Sequence, residues 1–82
     1  MDLHVGAQLR ALRKSQRVAQ TKLATAVGVT FQQIQKYEGG TNRISASMLY
    51  GIARQLAVPI SAFFEGLPDT ALGDPANRQE VE

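Results

Sequence analysis

The sequence predicts an all-α domain, a compact bundle of five helices. Three observations carry that expectation. Apolar residues recur at spacings of three and four, no stretch alternates with period two long enough to make a strand, and glycines and hydroxyl residues fall where short helices would stop and start. Eighty-two residues suit one small domain near the lower limit for a self-sufficient core, and without cysteine no disulfide or thiolate metal site can assist it. Residues 1–66 are expected to form the domain, with 67–82 as an acidic, flexible tail.

The first helix is expected from about His4 to Gln16, with Val5, Leu9 and Leu12 inward and Arg10, Arg13, Lys14 and Arg17 on a basic flank. A second fits Gln20 to Val27. Its Leu23, Ala24 and Val27 turn inward, and Gly28 suits the left-handed residue that closes a helix. Thr30 can cap a third, in which Phe31, Ile34 and Tyr37 are each three residues apart until Gly39 and Gly40 end it. Ser45 or Ser47 can cap the fourth, whose inward face includes Leu49, Ile52, Ala53 and Leu56. Pro59 stands near the start of a short fifth helix holding Ile60, Phe63 and Phe64. Past Gly66, the run LPDTALGDPANRQEVE has two prolines and too few large apolar residues to build a layer of its own.

Charge is divided along the chain. Residues 1–64 carry eight basic side chains against two acids, Asp2 and Glu38, a surplus of six. Residues 65–82 carry Arg78 against five acids, a deficit of four. A basic domain with an acidic tail suits an anionic partner such as nucleic acid. No apolar run approaches the roughly 18 residues of a membrane span, and the N-terminus does not read as a secretory signal, so a cytoplasmic protein without membrane contact is expected. His4 is the sole histidine; Ser15, Ser45, Ser47 and Ser61 form no nucleophile–base pair with it, and the acids lie mainly in the tail. No enzyme activity, metal or cofactor is expected, and His4 is expected to be a loosely ordered helix-start residue.

The second and third helices form a restrictive pair. Two residues separate Gly28 from Phe31, small Ala24 allows close approach, and Ile34 and Tyr37 face back to the core. Gln32, Gln33 and Lys36 then form a polar outer face near the start of the third helix. The major groove of DNA admits one helix, and glutamine can make two matched hydrogen bonds to adenine N6 and N7. Free N–H groups at the two helix starts favour phosphate at Gln20 and near Thr30.

On these residues the chain resembles a known family. AQTKLATAVGVTFQQIQKYEGG is similar to the helix-turn-helix of lambda-repressor-like, Xre-type transcriptional regulators, and the likeness extends from about Val5 through Gly66. LRALR, QTKLA followed by GVT, IQKYEGG and LAVPISAFFEG carry it together. The resemblance implies a compact five-helix DNA-binding domain, with the helix-turn-helix at helices two and three, acting as a dimer. It implies that Gln20 clasps a phosphate, that Phe31, Gln32 and Lys36 meet base edges with Gln33 beside them, and that Arg43 contacts phosphate. It also implies a salt bridge between Arg13 and Glu38. Two departures stand out. Family members often have glycine at Arg17 and serine or threonine at Ala19. Losing that cap costs the second helix about 1 kcal/mol, and Arg17 could instead reach phosphate, as could Thr30.

Each role has a plainer alternative. Gln32, Gln33 and Lys36 could be a solvated face, and Gln20 and Arg43 ordinary surface. Phe31 either presses on a thymine methyl group or folds back as a hydrophobic staple. Phe63 and Phe64 are adjacent aromatics that cannot both enter one small core, so a subunit contact is expected there; otherwise one covers the end of the monomer.

The function expected is a homodimer on a roughly palindromic duplex site, a repressor in preference to an activator. No further ligand-binding domain is expected after the tail, leaving protein concentration, a partner or the tail as means of control. The rival is an antitoxin-like or adaptor module whose main partner is a toxin or another regulatory protein. Retained partner binding after the outer face of the third helix is changed would favour it.

Overall fold

The backbone of this chain turns its corners in one recurring way, and those corners set where its helices lie. The computed structural model describes residues 2–66: α1 (Asp2–Ser15), α2 (Gln20–Val27), α3 (Phe31–Glu38), α4 (Ala46–Leu56) and a 3-10 helix (Ile60–Phe64). Met1 and residues 67–82, including the expected acidic tail, lie outside the described residues. α1 starts two residues before the expected His4, and Asp2 in its first turn complements the helix dipole.

At three corners a left-handed residue is followed by valine: Arg17 and Val18 after α1, Gly28 and Val29 after α2, Ala57 and Val58 after α4. In each, the valine N–H donates to the carbonyl five residues back, at Arg13, Ala24 and Ala53, over 3.0–3.1 Å. This closure satisfies carbonyls that the last helical turn leaves free. The three valines then pack against the core. Only Gly28 adopts its positive φ without a Cβ penalty; Arg17 at φ 57° and Ala57 at φ 55° are strained. At the starts of α3 and α4, Thr30 and Ser45 accept from the N–H of Gln33 and Met48, so Ser45 rather than Ser47 is the cap. Ala19 gives α2 no such bond, as its side chain dictates.

Leu9, Leu23, Ile34, Ile52, Leu56 and Phe63 are the largest fully buried side chains, one or two from each element. α1 packs across α3 and the 3-10 helix, while α2 packs on α3 and α4. The α1–α3 crossing depends on Gly6. A Cβ there would collide with the carbonyl oxygen of Tyr37 and stand 2.8 Å from that of Glu38.

The expectation of five helices is corrected: there are four α-helices and one short 3-10 helix. Five residues lie between Pro59, whose backbone is extended and offers no side-chain cap, and extended Glu65. So short a segment nucleates an α-helix poorly, and it tightens instead into an i→i+3 bond from Ala62 N–H to Pro59 O at 3.0 Å. Two carbonyls at this end are met sideways by α1. Gln8 donates to Ala62 O at 3.0 Å, and His4 donates through Nε2 to Glu65 O at 2.6 Å. Gln16 does the same for Leu56 O at the end of α4, at 2.6 Å. His4 is therefore a tether, not a loose helix-start residue.

The expected subunit contact is corrected in part as well. Phe63 is 0% exposed and lies inside the core, while Phe64 packs half-buried against it. Both aromatics serve the monomer, because the tighter 3-10 turn lets neighbouring side chains approach the core from two sides. The exposed large apolar side chains of α4 and the 3-10 helix are Tyr50 and Ile60.

These geometries give two opposite expectations in a urea titration. Gly6→Ala overpacks the α1–α3 crossing and should cost about 1–3 kcal/mol. Ala57→Gly releases left-handed strain and should stabilise by about 0.5–1 kcal/mol.

Candidate nucleic-acid interface

α3 separates its faces cleanly. Ile34 and Tyr37 are buried, whereas Phe31, Gln32, Gln35 and Lys36 are exposed on the other side. Phe31 is 40% exposed. Gln33 is half-buried at the margin, and its backbone N–H donates to the Thr30 hydroxyl at 3.2 Å. Val29 and Ile34 hold the two positions of a hydrophobic staple, just before the cap and four residues after it, and both turn into the core. Phe31 occupies neither of these positions.

The end of α3 is fixed by a polar cluster. Arg13 on α1 meets Glu38 in a forked pair, Nε to Oε2 at 2.6 Å and an Nη to Oε1 at 3.1 Å. Its other Nη donates to Val18 O at 2.8 Å. The two side chains are 10% and 5% exposed. Gln20, the first residue of α2, donates to Glu38 Oε1 at 3.0 Å, and Gln35 approaches the Gln20 amide oxygen at 3.5 Å. One carboxylate therefore ties together α1, α2 and α3. No buried side-chain nitrogen or oxygen among the described residues lacks a partner.

Gln20 is consequently engaged within the protein by its amide, beside an open polar groove of about 430 Å³ lined by Arg10, Arg13, Gln20, Gln35, Glu38 and Gly39. Gln20 was expected on a phosphate; Gln35, not among the expected site residues, lines the same groove. Its spacing of four from Phe31 was the available signal. Arg10 was seen only as part of a basic flank.

Exposed cations are carried by α1, α2, α3 and the connecting loops. Arg43 is exposed on the loop after α3, 3.3 Å from Asp2 in a solvent-facing pair that contributes little by itself. Arg10, Lys14, Arg17, Lys22 and Lys36 are exposed and have no ion-pair partner among the described residues. Ala19 leaves the first N–H groups of α2 without a side-chain cap between Arg17 and Lys22. Chemically the surface can donate hydrogen bonds and attract anions. Among the described residues no group of three or more His, Asp or Glu side chains could hold a metal, and no helix is long and apolar enough to cross a membrane.

Comparison with known proteins agrees with this geometry. Residues 9–63 match the family described as helix-turn-helix. An uncharacterised transcriptional regulator in the ATPase CF(0) region of Rhodospirillum rubrum is 55% identical over 75 residues, covering 92% of this chain and 67% of that protein. An uncharacterised HTH-type transcriptional regulator of Sinorhizobium medicae (strain WSM419) is 52% identical over 68 residues, 83% of this chain and 49% of that protein. The chain thus spans about half the length of the latter relative. Among solved structures, the restriction-modification controller protein C.AhdI from Aeromonas hydrophila aligns with a TM-score of 0.72 at 24% identity, over 76% of this chain and 94% of that one. The clp gene regulator ClgR from C. glutamicum aligns with a TM-score of 0.74 at 24% identity, over 77% of this chain and 82% of that one. At that identity these two establish the likeness of fold.

Breaking the buried pair from one side should be costly. Arg13→Met alone leaves Glu38 charged and unmatched and should destabilise by about 3–5 kcal/mol. Arg13→Met with Glu38→Leu should recover much of that loss in the same urea titration.

Proposed function

The chain belongs to the helix-turn-helix family of Xre-type, lambda-repressor-like transcriptional regulators, and from that membership we propose that it binds a specific duplex DNA site as a homodimer and regulates transcription. The observation that carries this is the outward face of α3, where Phe31, Gln32 and Lys36 stand exposed on a helix whose other side is locked by Ile34, Tyr37 and Glu38. Inserted in the major groove, Gln32 and Lys36 offer donors, and Gln32 also an acceptor, to base edges. Gln33 sits at the margin of that contact. Arg17, Arg43, the capped start of α3 at Thr30 and the uncapped start of α2 at Gln20 meet the phosphates and set the register. Gln20 also holds Glu38, so its phosphate contact uses the backbone N–H or a rearranged amide.

Two copies related by a dyad present two such helices to half-sites about one helical turn apart, roughly 34 Å. Tyr50 and Ile60, with the edge of Phe64, supply the apolar surface for pairing in place of Phe63. Occupancy of a promoter by the dimer, in the cytoplasm, excludes polymerase and represses.

Selection from random duplexes should return a two-fold symmetric site. Gln32→Ala with Lys36→Ala should abolish preference for that site over a scrambled duplex while helical content and dimerisation persist. Equal affinity of the double mutant and the wild-type protein for both duplexes would remove α3 as the reading element.

Arg17 offers a second, sharper comparison. Arg17→Gly and Ala57→Gly release the same backbone strain, so both should raise the melting temperature. Only Arg17→Gly should weaken duplex binding, lowering the slope of log affinity against log salt by about one per subunit.

A further inference from the structure

Among the described residues Phe31 is the large apolar side chain left exposed on α3. It opens α3 and is 40% exposed, while Val29 and Ile34 occupy the two staple positions and pack in the core. Leu3, Tyr50 and Ile60 are the other exposed large apolar side chains among the described residues, and none of them lies on α3. Phe31 shares its face with Gln32, Gln35 and Lys36, the polar groups that suit base edges. A phenyl ring neither donates nor accepts a conventional hydrogen bond. Of the groups that line the major groove, the C5 methyl of thymine is the apolar one.

We propose that Phe31 is a specificity-determining residue that reads the C5 methyl of one pyrimidine in each half-site. The inference rests on the duplex-binding role given to α3 above. It assigns that role a chemical preference: a methylated pyrimidine at the position under the first residue of the helix. Because 5-methylcytosine carries the same methyl at the same ring position, methylation of a cytosine placed there strengthens binding.

The test uses the full chain and the duplex selected from a random pool. Each thymine is replaced singly by deoxyuridine, which removes the methyl and leaves the base-pairing edge unchanged. One thymine per half-site should lose roughly fourfold in affinity for the wild-type protein, the equivalent of one buried methyl group. At that position Phe31→Ala should show no uracil effect, while Phe31→Leu, which keeps an apolar side chain, should retain part of it. Replacing the same thymine by cytosine and then by 5-methylcytosine should show the methylated duplex binding more tightly. A selected site with a flat uracil profile would overturn the methyl contact, leaving a base-independent contact with sugar, and would leave DNA binding by α3 intact. An undiminished uracil effect in folded Phe31→Ala would overturn it equally. Failure to select any site would overturn both readings.

Discussion

Taking the Arg13 and Glu38 charges out of water costs several kcal/mol per ion before any attraction is counted. The fold meets that cost with a full set of partners: two bonds between the pair, one from Arg13 to the Val18 carbonyl and one from Gln20 to Glu38. Each partner belongs to a different segment. The ion pair joins α1 to α3, the Val18 carbonyl belongs to the corner after α1, and Gln20 begins α2. The cluster therefore specifies the mutual placement of three helices more than it adds raw stability.

That placement is what makes a short α3 usable. Eight residues form an isolated helix poorly. Here the N-terminus is capped by Thr30, the inner face is sunk through Ile34 and Tyr37, and the C-terminus is held by Glu38. Gly6 lets α1 lie directly against the α3 carbonyls at that end. With three anchors on one side, the other side can stay polar and exposed without loosening the helix. For the duplex binding proposed above, a face already held in one shape leaves little ordering cost at the moment of binding.

The parts legible in the sequence were those with local signatures. Gly28, Thr30 and Ser45 marked helix ends through turn and cap chemistry, and the three-and-four spacing of Val5 and Leu9, and of Leu49, Ile52 and Leu56, marked the core. The departures at Arg17 and Ala19 were visible through the family likeness, and the backbone at both positions matches: φ 57° at one, no side-chain cap at the other. What escaped depends on residues distant in the chain. Nothing local tells Gly6 that α3 will cross it, or His4 and Gln8 that Glu65 and Ala62 will need donors. Nor does spacing decide between a phosphate and Glu38 for the Gln20 amide. The fifth element was misread as α-helical because its apolar pattern is the same in either helix type, while its shortness favours the tighter turn. The full burial of Phe63 escaped by the same assumption.

The repeated valine corners have a further consequence for how such a chain can vary. At Arg17, Gly28 and Ala57 the backbone direction and the following apolar anchor are coupled, so an inserted residue would break the bond to the carbonyl five residues back and lift the valine from the interior. Insertions and deletions are therefore barred from three of the four connections among the described residues. They can be absorbed in the segment from Gly39 to Ser45, which carries Arg43. Drift in chain length is thus channelled into one stretch, and homologues of different length should diverge there first.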